Sequence, residues 1–508
     1  MQKILKSCIG ALLCLLSLCF ITLPALAKSI EIKSENFVLI GNVRESDGKA
    51  LLLELEQYRQ AILQLLGAQN PGSEVIPVRI YTVRGDKELK LLTGRTDLGG
   101  VYTSTIEGPV FILNSKSGFK RGKQARHIAL HEFTHHLLAA YTNEIYPLWF
   151  NEGLANYFST FEVNKNGDII IGRPYNPYGY PLSQKTWMPT NVLVNSVISY
   201  PYRSTGESAR GLTTSSYFYA QSWLAVHYIQ STKSESDKLV KYIELLNEKR
   251  GAGDAYTQAF GRTPEEFETL LKAYYKKNRF ITRTITLKTK IKDFSFKVRE
   301  LDKGEVEFHK AEAMRFFSSS FVKTAEIARQ YDKAAGKLGE TAAILAARAD
   351  LATWDSDYEK ANTYIEKALA LAPDDAGILR MAGMVLLYEN EAADYPDGKA
   401  LDKARKYLKR AMIKNPDDIA AHYYYARSFA VLREHPSRQA TASAVTTLDY
   451  YRSINFVDSN LSIASVLLNG DEYKQAEPAI DKALVWSRDS GARMSARSMK
   501  TYIKNREK

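Results

Sequence analysis

The sequence predicts an α+β domain followed by an all-α domain of helical repeats, and three observations carry that prediction. Short apolar runs of strand type surround one helical pattern before residue 115. Helical periodicity then prevails over 123–275 and returns from about 301 to the end. Within that last part, a pattern of small and aromatic residues recurs at a 43-residue step. The 508 residues give room for two or three domains. A content of 45% hydrophobic and 25% charged residues is that of an ordinary globular protein and argues against a disordered or collagen-like chain.

The N-terminus reads as a secretory signal. Lys3 and Lys6 precede an apolar run over 9–23, and Ala25-Leu26-Ala27 supplies a small-residue cleavage site. The run is shorter than the roughly 20 apolar residues of a membrane-spanning helix, with an uncleaved anchor as the alternative. Cys8, Cys14 and Cys19 all lie inside it, and Leu18 stands where a lipoprotein needs a small residue before its cysteine. The mature chain therefore has no disulfide, no cysteine nucleophile and no cysteine metal site. The signal implies secretion across the inner membrane, to a periplasmic or extracellular destination. The net charge of +12 is spread out, with KRGK at 120–123 as the nearest thing to a patch, which argues against nucleic acid as a partner. No later segment is long and apolar enough for a membrane span.

Residues 28–115 give the first domain its strands. Phe37-Val38-Leu39-Ile40, then 78–83, then Val110-Phe111-Ile112-Leu113 read as strands, and 50–66 carries helical spacing. Over 123–275 the exception to helix is 172–189, where GRPYNPYGYP is loop chemistry. Thr263 and Pro264 fit the cap and first position of the last helix of this domain. At 281–298, Ile285, Leu287, Ile291, Phe294, Phe296 and Val298 alternate with polar residues, which predicts short strands or an extended connector. The division is a signal at 1–27, a first domain at 28–280, a connector at 281–300 and repeats at 301–508, with the two domains expected to fold separately.

In the repeats, Tyr358, Ala361, Tyr364, Ala368 and Pro373 are matched by Leu401, Ala404, Tyr407, Ala411 and Pro416, each proline followed by Asp-Asp. Tyr473, Ala476, Ala479 and Ala483 form a third copy, with Arg488 in place of the proline. Small alanines let paired helices approach, and each proline ends one helix before the next. The pattern resembles tetratricopeptide repeats, whose period is about 34 residues, with NEAADYPDGK at 390–399 as an insertion. That resemblance implies a protein partner on the repeats.

The chemistry lies in HEFTH at 131–135. On a helix, His131 and His135 share a face and can donate to one zinc ion, while Glu132 can reach a water beside it. A zinc hydrolase needs a third protein ligand from elsewhere, and Glu152 in PLWFNEGLANYF supplies it. HEFTH followed by Trp149-Phe150-Asn151-Glu152-Gly153-Leu154-Ala155 resembles the gluzincins, the peptidase MA-like group that includes thermolysin and the alanyl-aminopeptidase type. The resemblance spans roughly 75–275. It implies a thermolysin-like metallopeptidase fold, Zn2+ held by His131, His135 and Glu152, and Glu132 as general base toward a peptide or protein substrate. It also implies a substrate-binding sheet edge, placed at 110–114.

Tyr219 falls where the aminopeptidases carry an oxyanion-stabilising tyrosine, although their Tyr-x-Lys-Gly is here Tyr219-Ala220-Gln221-Ser222; Tyr217 is the alternative. No GxMEN-type phrase is present, so aminopeptidase specificity is not implied. Asn156 stands where thermolysin has an aspartate that orients a ligand histidine. His127 reads as a surface or structural histidine, with a cleft-lining place as the alternative, His136 as packing or a supporting neighbour of the metal ligands, His227 as core, and His309, His422 and His435 as too scattered for a second metal. The competing expectation is a catalytically silent peptidase-like scaffold whose repeats bind protein.

Overall fold

The computed structural model describes residues 28–68, 76–94, 100–117, 124–142, 146–196, 214–248, 251–288, 293–321, 323–450, 457–486 and 490–506. The expected signal at 1–27, the KRGK run and Arg488 lie outside the described residues.

The strands are β1 (Lys28–Lys33), β2 (Phe37–Val43), β3 (Val78–Val83), β4 (Gly100–Thr105), β5 (Gly108–Asn114), β6 (Glu162–Val163), β7 (Ile169–Ile171), β8 (Arg283–Ile285) and β9 (Lys297–Glu300). The main sheet runs β4-β5-β3-β2-β1-β9, with β2, β3 and β5 parallel and the outer pairings antiparallel. The parallel strands are buried on both faces, which is why they read as unbroken apolar runs. Leu39, Ile80, Phe111 and Leu113 enter one core with helices Glu45–Leu65 and Gln124–Tyr141. Ile40, Tyr81, Val110 and Ile112 enter a second core with Met314, Tyr331 and Leu351.

Two expectations change here. The sheet edge is β4, because β5, the strand at 110–114, is enclosed by β4 and β3. Its apolarity marks an interior strand, whereas the half-buried edge, VYTST after Gly100, carries Thr and Ser and little hydrophobic signal. The connector at 281–300 also joins two sheets: β8 pairs with β7, and β9 pairs with β1. The helices that follow, Lys303–Phe321, Thr324–Leu338 and Ala342–Trp354, cover the second face of the main sheet. The parts expected to fold separately therefore share a core.

From Ala342 onward the helices form a helical repeat. Ala342–Trp354 packs on Tyr358–Leu371, Ala376–Ala392 on Gly398–Lys414, Ile419–Arg427 on Arg438–Tyr450, and Val457–Asn469 on Tyr473–Trp486. The first helix of each pair also packs on the first helix of the next. The starts at Ala342 and Ala376 are 34 residues apart, and the longer next step is partly absorbed by helices of 17 residues. In each Pro-Asp-Asp the second aspartate caps a helix: Asp375 accepts from the Ile378 amide and Asp418 from the Ala421 amide. Pro264–Lys277 likewise opens with Thr263 and Glu266 in a capping box. Among the described residues no helix is long and apolar enough to cross a membrane.

Candidate metal centre

Three helices build the site. Gln124–Tyr141 turns Ala129, Leu130, Phe133 and Leu137 into the core, which leaves His127, His131 and His135 on another face at four-residue spacing. Leu148–Phe158 is apolar on nearly all sides because it is buried there, and it crosses the first helix with Glu152. Gly153 lets this second helix lie against Thr214–Ile229: a Cβ at Gly153 would stand 2.3 Å from the Ser222 carbonyl oxygen and 2.6 Å from Val226.

The donor atoms converge. His131 Nε2 lies 3.1 Å from Glu152 Oε2, His135 Nε2 lies 3.3 Å from the same oxygen, and the two nitrogens are 3.2 Å apart. A triangle of that size is one face of a tetrahedron whose corners stand about 2 Å from its centre, the bond length of zinc to nitrogen and oxygen. The other ring nitrogens point outward to amide oxygens. His131 Nδ1 is 3.0 Å from Asn156 Oδ1, and His135 Nδ1 is 3.1 Å from Asn151 Oδ1. An amide oxygen accepts only, so each imidazole donates from Nδ1 and turns its Nε2 lone pair inward. The residues present fit a zinc ion. His131, His135 and Glu152 are the one such cluster among the described residues.

Without a metal the site holds a proton on His135, which a bound cation would displace. Burial opposes ionisation of Glu152, yet His135 and His131 hold its carboxyl well below the usual range. Burial likewise opposes the charging of His135, but Glu152, Glu132 and Asn151 outweigh it and push the imidazole up to about 9. Burial pushes the Glu132 carboxyl up against the pull of both histidines. Glu132 is outside the donor cluster.

Tyr219 stands beside the cluster, its ring edge-on to His131 at a centroid distance of 6.2 Å. Tyr217 packs against the core. His127 is buried, stacked on Tyr175 at 3.7 Å and hydrogen-bonded to Ser159 and Asn156. Burial and the neighbouring His131 bring its pKa down to about 3. His136 stacks on Phe133 and meets the Tyr102 hydroxyl at 3.3 Å, toward the edge strand. His227 is buried between the Tyr274 hydroxyl and the Gly172 carbonyl. Asn151 stands beside Glu152 in the motif, yet no spacing rule marks it as a partner of His135. Tyr175 and Tyr178 leave no sequence signal either, because nothing in a loop's spacing shows which side chains fold inward.

No protein-family model matches the chain, and no curated protein matches it. Among solved structures it is similar to TTC0263, a thermophilic TPR protein of Thermus thermophilus, at 16% identity over 39% of this chain and 98% of that one, with a TM-score of 0.32. YrrB, a TPR protein with an unusual peptide-binding site, is 17% identical over 39% of this chain and 92% of that one, with a TM-score of 0.27. Yeast Tom70 is 14% identical over 76% of this chain and 73% of that one, with a TM-score of 0.30.

Proposed function

We propose that the chain is an exported zinc-dependent metallopeptidase of the gluzincin type, with a thermolysin-like catalytic domain and tetratricopeptide-like repeats that bind substrate or a partner protein. The observation that carries this reading is the donor triangle of His131, His135 and Glu152, each histidine oriented by its own asparagine. Bound zinc would supply Lewis acidity, lowering the pKa of a water and polarising the substrate carbonyl. Glu132 takes a proton from the attacking water and returns it to the departing amine. Tyr219 donates a hydrogen bond to the carbonyl oxygen as charge gathers there. The edge strand β4 pairs with the backbone of an extended substrate.

The helical repeat favours a second reading, a catalytically silent scaffold that works by protein binding. One experiment separates the two. The purified chain is incubated with a diverse peptide library, with and without a chelator. Chelator-sensitive cleavage supports the peptidase; retained zinc with no cleavage of any peptide supports the scaffold.

A further inference from the structure

We propose that Tyr178 is a positioning residue for the metal centre, its hydroxyl fixing the Asn156 amide and, through it, the orientation of His131. The Tyr178 hydroxyl donates to Asn156 Oδ1 at 2.6 Å, and that same oxygen accepts from His131 Nδ1 at 3.0 Å. The sense of the amide is set from its other end, where Nδ2 donates to the Glu152 carbonyl at 2.8 Å. The Asn156 side chain therefore touches the backbone of one ligand and the ring of another. An amide oxygen is a weaker acceptor than a carboxylate, so it holds an imidazole less firmly unless it is itself held.

The loop that carries Tyr178 is anchored for this task at several points. Gly172 begins it with φ +82°, and a Cβ there would stand 2.8 Å from the Tyr157 ring. His227 Nε2 donates to the Gly172 carbonyl at 2.8 Å. The Tyr275 hydroxyl donates to the Gly179 carbonyl at 3.0 Å, one residue beyond Tyr178. Between them the Tyr175 ring lies flat on His127, with an interplanar angle of 4°. The rings of Tyr175 and Trp223 then flank Tyr178 at 4.9 and 6.1 Å. The loop delivers one hydroxyl to one amide.

This assignment rests on the zinc reading above. The test is a zinc titration of the full mature chain against a competing chelator, with Tyr178→Phe beside wild type and Tyr175→Phe. Loss of a direct outer partner of a metal ligand, as Asn156 is of His131, costs about 10–100-fold in affinity, and Tyr178 acts one hydrogen bond further out, at the low end of that range. Tyr178→Phe should raise the zinc dissociation constant about tenfold, leave the thermal midpoint of the metal-free protein unchanged, and shift the visible absorption of the cobalt(II)-loaded protein. Tyr175→Phe, which keeps its ring on His127, should bind zinc as wild type does. A wild-type zinc affinity and cobalt spectrum in Tyr178→Phe would overturn the assignment while leaving the metal centre standing. A lower affinity matched by a lower metal-free midpoint would make Tyr178 a loop anchor only, which also overturns it. A wild type that takes up no zinc would remove the metal centre, and the assignment with it.

Discussion

Glu107, in the turn between β4 and β5, is gripped by Arg315 of the helix Lys303–Phe321: its two carboxylate oxygens accept from Nη1 at 2.7 Å and Nη2 at 3.1 Å. Arg380, from Ala376–Ala392, stands 3.7 Å from the same carboxylate. The edge strand that would receive substrate thus ends in a turn held by a helix that covers the sheet and by one of the helical repeat. Arg315 also donates to Asp350 at 3.0 Å and to Glu312 at 2.9 Å, so one arginine serves three carboxylates.

Asp350 is the carboxylate left worst served. Burial, with Glu107 and Glu312 nearby, outweighs Arg315 and raises it to about 6. A carboxyl raised above its unfolded value of about 3.9 binds more protons in the folded state, so stability falls as pH rises from about 4 to 6. Two units correspond to on the order of 3 kcal/mol. Asp350→Asn mimics the protonated form. Its thermal midpoint should exceed that of wild type at pH 8, and the advantage should vanish by about pH 4. An equal difference at both pH values would refute the assignment.

The shared core makes a second prediction. A fragment of residues 28–280 lacks β9 and leaves Ile40, Tyr81, Val110 and Ile112 uncovered. It should aggregate more readily than a fragment extended through Trp354, in which the covering helices are restored. Comparison of the two by gel filtration decides it. A monomeric, cooperatively melting 28–280 would show that the second face does not need its cover.

These two relationships mark what was legible in the sequence. The strands β2, β3 and β5 announce themselves because they are apolar on both faces, and the helix of HEFTH because its ligands repeat at helical spacing. β1 and β4 are half polar and pass for loop. Glu107 and Arg315 are 208 residues apart, and Tyr178 reaches Asn156 from an aperiodic loop, so neither pairing leaves a local pattern.

Gly153 sets the spacing of two site helices. In Gly153→Ala the new Cβ meets a backbone oxygen at 2.3 Å, so the helices must separate and carry Glu152 away from the histidines. Overpacking costs about 1–3 kcal/mol. The thermal midpoint and the zinc affinity should fall together; a variant that keeps both would show that the contact relaxes without moving Glu152.

Glu132→Gln separates chemistry from binding. It keeps the side-chain shape and removes the proton acceptor, so zinc content and thermal midpoint should hold while hydrolysis falls by about 10²–10⁴-fold. Tyr219→Phe should lower kcat with little change in KM, because its contact forms in the transition state. Steady-state kinetics on any cleaved peptide reads both. Undiminished hydrolysis by Glu132→Gln would contradict the mechanism, whereas an unimpaired Tyr219→Phe would remove only the role of that tyrosine.

The metal itself is the most direct test. The chain, purified without chelator, should carry about one zinc per molecule by elemental analysis. His131→Ala, His135→Ala and Glu152→Ala should each lose most of it, since each removes one of the three donors that close the triangle. Full zinc occupancy in the two histidine variants, or a wild type that binds none when zinc is supplied, would contradict the account at its centre.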